Sequence, residues 1–155
     1  MKILFLDIDG VLNSFDDMYA RNMEWKISKQ TVPSRDDHGQ LFDERCVRWL
    51  RYIVHKTECV IVLSSTWRKN GLTAIKYLWR DRNLPGTVID ITPDLGTIRG
   101  KEIETWLKDF KDHVDTYCIV DDDSDMLEGQ SFVQIDGNIG LTKVDVGKII
   151  NILND

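Results

Sequence analysis

The sequence has few of the features that mark membrane-spanning or secreted proteins. Among its 155 residues, no apolar run approaches the roughly 20 residues that cross a bilayer, and the run from Cys59 to Leu63 is typical of the longest. The apolar stretch that follows Lys2 stops at Asp7, which is too short for the hydrophobic region of a signal peptide. We therefore expect a protein that is neither embedded in a membrane nor secreted.

Cysteine is also scarce, and its pattern excludes common uses. Cys46, Cys59 and Cys118 are an odd number, contain no CxxC pair, and each lies within an apolar segment. This pattern predicts buried, reduced thiols in a cytoplasmic protein, with no disulfide-linked partner and no zinc site. The chain also lacks internal repeats and any long basic stripe, so contact with a nucleic acid would be local.

The acidic excess is confined to two short clusters. The chain has 26 acidic and 20 basic residues, for a formal net charge of -6. Without the two clusters, equal numbers of acids and bases would remain. The clusters contain Asp7 and Asp9 near the start, and Asp121, Asp122, Asp123 and Asp125 later in the chain. We interpret them as parts of a site that attracts a cation, because a generally acidic, disordered chain would spread its charge.

Strand and helix patterns alternate along the chain. This alternation predicts a single α/β domain over residues 1–155, with a five-stranded parallel sheet covered on both faces. In such sheets ligands bind at the carboxyl ends of the strands. The stretch 13–41 breaks the alternation, and we interpret it as a long loop or small flap over the site. The predicted strands are 2–6, 58–63, 87–91, 116–120 and 132–135, and the predicted helices are 43–56, 71–79, one from about 100, and one after Thr142.

Both acidic clusters follow a predicted strand. Asp7 and Asp9 are two residues apart, so on a continuing strand their carboxylates point to the same face. Gly10 then lets the backbone turn sharply or approach a ligand closely. Oxygen ligands without nearby histidine or cysteine favour Mg²⁺ as the cation. The alternatives are an ordinary turn rich in aspartate and glycine at the first cluster, and a solvated acidic turn at the second.

Other polar residues lie where a phosphate group could bind. The Ser64 hydroxyl and the backbone after it, including Ser65, could hold a phosphate oxygen, and Lys101 at a helix start favours an anion. The alternatives are a helix cap for Ser64 and an ordinary surface lysine for Lys101. Trp67 and Arg68 could stack on or clamp a nucleotide, as could Trp25, although packing is the simpler role of a tryptophan.

The order of these motifs resembles the haloacid dehalogenase (HAD) superfamily of phosphohydrolases. The segment Asp7 to Leu12 fits its DxDx(T/V)(L/V) motif. Ser64, Lys101 and the pair Asp121-Asp122 fit its second, third and fourth motifs. The stretches 63–68 and 119–126 look like the small HAD domains of RNA repair proteins. The resemblance implies a Rossmann-like three-layer sandwich with a minimal cap or none.

The resemblance also implies roles for the site residues. Asp7 would be the nucleophile that becomes phosphorylated, and Asp9 would be the general acid and base. Mg²⁺ would bind to Asp7, to the backbone carbonyl of Asp9 and to Asp122, with Asp121 beside them, although several registers of the second cluster stay open. The phosphate-binding groups would be Gly10, Ser64, Ser65 and Lys101.

The expected function is hydrolysis of phosphate monoesters, with the 3'-phosphorylated end of a nucleic acid as the leading substrate. One alternative is a small-molecule phosphatase such as a nucleotidase. Another is a phosphate- and Mg²⁺-binding regulatory module that has lost turnover.

Overall fold

The computed structural model describes residues 1–28 and 34–155, with the side chain of Trp25 left out. Any role for Trp25 in stacking therefore lies outside the described residues. The elements in chain order are β1 (Lys2–Leu6), α1 (Phe15–Ser28), β2 (Arg35–Asp36), β3 (Gly39–Gln40), α2 (Glu44–Thr57), β4 (Val60–Leu63), α3 (Leu72–Asp81), β5 (Val88–Ile91), α4 (Arg99–Phe110), β6 (Thr116–Asp121), β7 (Phe132–Gln134) and α5 (Lys143–Asn154).

Five strands form a parallel sheet in the order β5-β4-β1-β6-β7. Leu4 and Leu6 of β1 pack on one face of the sheet, in a core to which α2, α3 and α5 contribute. Ile3 and Phe5 alternate with them and pack on the other face, against Ile103 and Trp106 of α4 among others. The sheet is therefore buried between two helical layers, and the predicted α/β sandwich is confirmed.

Local signals account for the boundaries of α2 and the start of α5. Asp43 caps α2 by accepting a hydrogen bond from the Arg45 backbone N–H, and Thr142 begins α5 with a capping box. Strand β4, which was predicted to begin at residue 58, begins at Val60. The reason is that Glu58 ends α2 in a left-handed conformation with a φ of 56°.

The described part of the stretch 13–41 contains regular secondary structure. It contains α1 and, after residues 29–33, which lie outside the described part, an antiparallel hairpin of β2 and β3. No described side chain of α1 is buried, so the helix lacks the apolar stripe that would reveal it in the sequence. Arg82 fixes the hairpin through hydrogen bonds to Asp36 of 2.6 and 2.8 Å. The long-loop interpretation is therefore wrong for α1, and closure over the site stays a prediction.

The three cysteines are free and buried, as expected of structural thiols. Burial raises the pKa of Cys46 to about 11 and that of Cys118 to about 12. In the described part of the chain, no helix has the length and apolar character needed to cross a membrane. The cytoplasmic location stays a prediction.

Candidate active site

Three carboxylates meet at the carboxyl ends of β1 and β6. These strands are neighbours, and the chain order reverses between them, because it first runs outward to β4 and β5 and only later returns to β6. Asp7 follows β1, Asp121 ends β6, and Asp122 comes next. Each offers a carboxylate oxygen, and these oxygens lie within 4.8 Å of one another. Three of the four residues predicted to bind the metal therefore lie together, and metal binding itself stays a prediction.

The burial of these acids makes their shared charge costly. Asp121 is 1% exposed and Asp7 is 6% exposed. Burial, and after it the charge of Asp7, raises the pKa of Asp121 to about 7. Burial is also the largest cause that raises the pKa values of Asp7 and Asp122. Such a cluster favours a bound proton or cation.

In the described part of the chain, Arg99 is the basic residue that contacts this cluster. Its Nη1 lies 3.0 Å from Oδ2 of Asp121 and 3.5 Å from Oδ1 of Asp7. Asp125 fixes the start of α4, because its Oδ2 accepts a 2.8 Å hydrogen bond from the Arg99 backbone N–H. Arg99 is therefore placed to hold an anion beside the carboxylates.

Lys101 does not share that position. It lies two residues after Arg99 on α4, and residues at that spacing do not face the same side of a helix. Its side chain is exposed, and it forms no ion pair within the described part of the chain. The structure therefore places Arg99, and not Lys101, against the acid cluster, and phosphate binding by Lys101 stays a prediction.

Two glycines make room for the Asp122 carboxylate. A Cβ atom on Gly10 would lie 2.5 Å from Oδ2 of Asp122, and one on Gly137 would lie 2.6 Å from the same atom. The Gly10 N–H is directed to Asn13, with its backbone and side-chain oxygens both at 3.2 Å. Gly10 thus contributes space for Asp122, and its predicted part in phosphate binding stays a prediction.

The Asp9 carboxylate is held by two neutral donors. Asn13 Nδ2 lies 2.8 Å from Oδ1, and the indole Nε1 of Trp67 lies 3.2 Å from both oxygens. The Trp67 ring packs edge-on against Phe42, with the Arg82 guanidinium 5.9 Å from its centre. Sequence reasoning missed Asn13, and it considered Trp67 for packing or for stacking on a nucleotide but not as a hydrogen-bond donor to Asp9.

Ser64 and Ser65 follow β4 beside Asp7, and both are fully buried. The Ser65 hydroxyl is hydrogen bonded to Asp7, which works to lower the pKa of that carboxyl. The Ser64 hydroxyl has no hydrogen-bond partner among the described residues. A buried hydroxyl without a protein partner keeps its capacity to bond to a ligand oxygen, so the phosphate-binding prediction for Ser64 remains a proposal.

Arg68 supports the loop that carries these serines. Its Nη1 donates to the carbonyls of Ser64 at 2.9 Å and Ser65 at 3.1 Å, and its Nη2 lies 2.6 Å from Glu102 on α4. Only 6% of the Arg68 surface is exposed. These contacts give Arg68 a structural role, and a clamp on a substrate stays a prediction.

The acid cluster fits a hard divalent cation. Asp7, Asp121 and Asp122 present three carboxylates against the one guanidinium of Arg99. Asp123 is exposed and bonds within its own turn, and Asp125 is engaged with α4. These two residues lie outside the group. The candidates for a metal ligand in the second acidic cluster are therefore Asp121 and Asp122. Asp9 was predicted to contribute a backbone carbonyl, and that contribution stays a prediction.

A parallel α/β sandwich with an aspartate pair after its central strand and an acidic pair at the end of the neighbouring strand defines a HAD-like domain. A family model described as the HAD domain in Swiss Army Knife RNA repair proteins matches residues 3–146, and the chain belongs to that family. The resemblance noted in the sequence is thereby confirmed. Searches of curated proteins and of solved structures returned no match.

Proposed function

We propose that this protein hydrolyses phosphate monoesters through an aspartyl-phosphate on Asp7, with Mg²⁺ as cofactor. The proposal depends on one observation. Asp7, Asp121, Asp122 and Arg99 lie together at the carboxyl ends of the sheet strands. Membership of the HAD family supports the same chemistry. The arrangement supplies a nucleophile, a cation site and an anion-binding guanidinium around one point.

In the proposed reaction, a carboxylate oxygen of Asp7 attacks phosphorus, and the bond from phosphorus to the substrate oxygen breaks. Asp9 donates its proton to that leaving oxygen. It then accepts a proton from the water that attacks the phosphorus of the aspartyl-phosphate, which releases inorganic phosphate and restores Asp7. Asn13 and Trp67 hold the Asp9 carboxylate in place for both transfers.

Asp7 and Asp122, with Asp121 adjacent and the Asp9 carbonyl as predicted, would hold Mg²⁺. The ion would reduce the repulsion between the anionic nucleophile and the phosphoryl group. Arg99, whose Nη1 lies 3.5 Å from Asp7, is placed to bind phosphoryl oxygens, and the buried serines supply further polar groups beside Asp7. Charge develops on these oxygens in the transition state, so Arg99 would contribute more there than in the ground state.

As substrate we propose a phosphorylated nucleic-acid end, of the 3'-phosphate type. One support is that the chain belongs to a family of HAD domains found in RNA repair proteins. The other is that the described part of the cap candidate contains only α1 and a short hairpin, which would leave the site open to a large substrate. The other candidates are a small-molecule phosphatase or nucleotidase and a silent phosphate-binding module. The first differs from the main proposal in its preferred substrate, and the second in having no turnover.

The test is a phosphatase panel with Mg²⁺ that compares 3'-phosphorylated oligonucleotides, 5'-phosphorylated ones, mononucleotides and sugar phosphates. Asp7→Asn and Asp9→Asn should abolish turnover, whereas Asp123→Asn, an exposed control in the same acidic stretch, should retain it. Full activity of Asp7→Asn would refute the mechanism. Binding of a phosphate mimic with Mg²⁺ but no turnover of any ester would favour the silent module.

A further inference from the structure

A polar hollow adjoins Asp9 on the side of the β2–β3 hairpin. It has a volume of about 370 Å³ and is bounded by the hairpin and by the 3-10 helix Thr66–Asn70. We call it the Asp9 hollow. The residues of its wall that matter here are Asp9, Arg35, Gln40, Thr66, Trp67 and Asn70.

The Asp9 hollow lies where a leaving group would go. Asp9 lines it, whereas Asp7, Asp121 and Asp122 do not. In phosphoryl transfer the attacking and leaving oxygens lie on opposite sides of phosphorus. If Asp7 attacks and Asp9 protonates the leaving oxygen, the rest of the leaving alcohol occupies the space next to Asp9, which is this hollow.

The charge of the wall indicates what kind of alcohol fits. Arg35 forms no ion pair among the described residues, whereas Asp36 neutralises the nearby Arg82. The Gln40 Nε2 is buried and has no hydrogen-bond partner among the same residues. The wall therefore contains one cation without an ion pair and a glutamine whose amide nitrogen has no partner among the described residues. Buried donors without partners are uncommon, and this amide would gain one if it turned toward a ligand acceptor in the hollow.

We propose that the Asp9 hollow binds a leaving alcohol that carries a second anionic group, namely the phosphodiester of a nucleotide chain, with Arg35 as its partner. This inference rests on the proposed phosphatase function and assigns its specificity. Gln40, Thr66 and Asn70 supply neutral hydrogen-bonding groups for the sugar and base. The volume lies within the roughly 300–1,000 Å³ that is usual for sites of small ligands, so one nucleotide unit fits while the rest of the chain continues outside.

The test compares two esters that share the same 3'-phosphorylated nucleoside, of which only one carries a second anionic group. One is a dinucleotide with a terminal 3'-phosphate, and the other is the matching nucleoside 3'-monophosphate. Arg35→Gln should lower kcat/KM for the dinucleotide by about tenfold, mainly through KM, and change it less than about threefold for the mononucleotide. Arg51→Gln, which removes an exposed arginine on α2 outside the hollow, should leave both values unchanged.

The outcomes separate this inference from the function on which it rests. An active wild-type enzyme whose Arg35→Gln variant loses the same factor on both esters, or on neither, would overturn the inference and leave the phosphatase proposal standing. A preference for a sugar bisphosphate over the dinucleotide would overturn the assignment to nucleotide chains. If the wild type hydrolysed no ester at all, the proposed function would fail and this inference with it.

Discussion

The indole Nε1 of Trp67 lies 3.2 Å from each carboxylate oxygen of Asp9. Asn13 adds a 2.8 Å hydrogen bond, but only to Oδ1. Oδ1 therefore faces two donors, and Oδ2 shares one. Since each donor occupies acceptor capacity, Oδ2 is the oxygen that is better placed to carry the proton to a leaving group.

Trp67→Phe should slow the hydrolysis of esters whose leaving group needs a proton from Asp9 more than the hydrolysis of esters whose leaving group does not. We expect kcat to fall about 10- to 100-fold for an alkyl phosphate, whose alkoxide needs a proton, and much less for dinitrophenyl phosphate, whose leaving group does not. Parallel measurements on both esters check this. Trp79→Phe removes an indole hydrogen bond to the Pro85 carbonyl, outside the site, and serves as the control. Equal losses on both esters would indicate general damage to the site.

Arg99 and Lys101 can be separated by matched substitutions. Arg99→Gln should reduce kcat/KM at saturating Mg²⁺ by about 100-fold or more, because it removes a guanidinium that would bind phosphoryl oxygens. Lys101→Gln should change kcat/KM less than about threefold, since its side chain is exposed and makes no ion pair with described residues. A larger loss of kcat/KM in Lys101→Gln than in Arg99→Gln would identify Lys101 as the phosphate-binding cation.

Gly137→Ala should weaken Mg²⁺ binding, because the new Cβ would lie 2.6 Å from Oδ2 of Asp122 and must displace it. We expect at least a tenfold rise in the Mg²⁺ dissociation constant measured by calorimetry, as expected when a ligand is misplaced. Gly147→Ala is the control, since nothing lies within 4 Å of its added Cβ. That exposed position is on α5, so the control should gain about 0.5–1 kcal/mol in the free energy of unfolding. Unchanged Mg²⁺ affinity in Gly137→Ala would exclude Asp122 as a ligand.

The ion pair of Arg68 and Glu102 should be a strong structural contact. Both side chains are buried, and their atoms lie 2.6 Å apart. Glu102→Gln leaves the Arg68 charge without its main partner, and we expect a loss of about 3–5 kcal/mol in the free energy of unfolding, measured by urea denaturation. Glu104→Gln breaks the exposed pair with Lys108 and should cost about 0.5 kcal/mol or less. Similar small losses in both variants would show that Arg68 is solvated.

The sequence predicts the sheet and the acid cluster well because both depend on local pattern. Each buried strand is a short apolar run, and Asp7 and Asp121 come at the ends of two such runs. The partners of these acids depend on contacts that no local pattern encodes. Trp67 is 58 residues from Asp9, and Glu102 is 34 residues from Arg68. Likewise, the choice of Arg99 over Lys101 depends on how α4 is rotated against the sheet.

Without metal, the stability of the protein should fall as the pH rises through the range in which Asp121 ionises. Burial raises the folded-state pKa of Asp121 from its ordinary value of 3.8 to about 7. The folded state therefore holds this proton more tightly than the unfolded state does. The associated stabilisation is fully present below about pH 4 and is lost by about pH 7.

Asp121→Asn isolates this effect, because asparagine cannot ionise. In EDTA, the variant should become progressively more stable than the wild type between about pH 4 and pH 7, by about 1–3 kcal/mol at the upper end. Urea denaturation at a series of pH values measures this difference. Carboxyl groups that titrate alike in both proteins contribute equally and cancel in the comparison. Above pH 7, where Asp121 is ionised, Mg²⁺ should restore the stability that the wild type has lost. It should stabilise the variant less. A difference between variant and wild type that stays constant from pH 4 to pH 8 would show that Asp121 does not share a buried charge with Asp7.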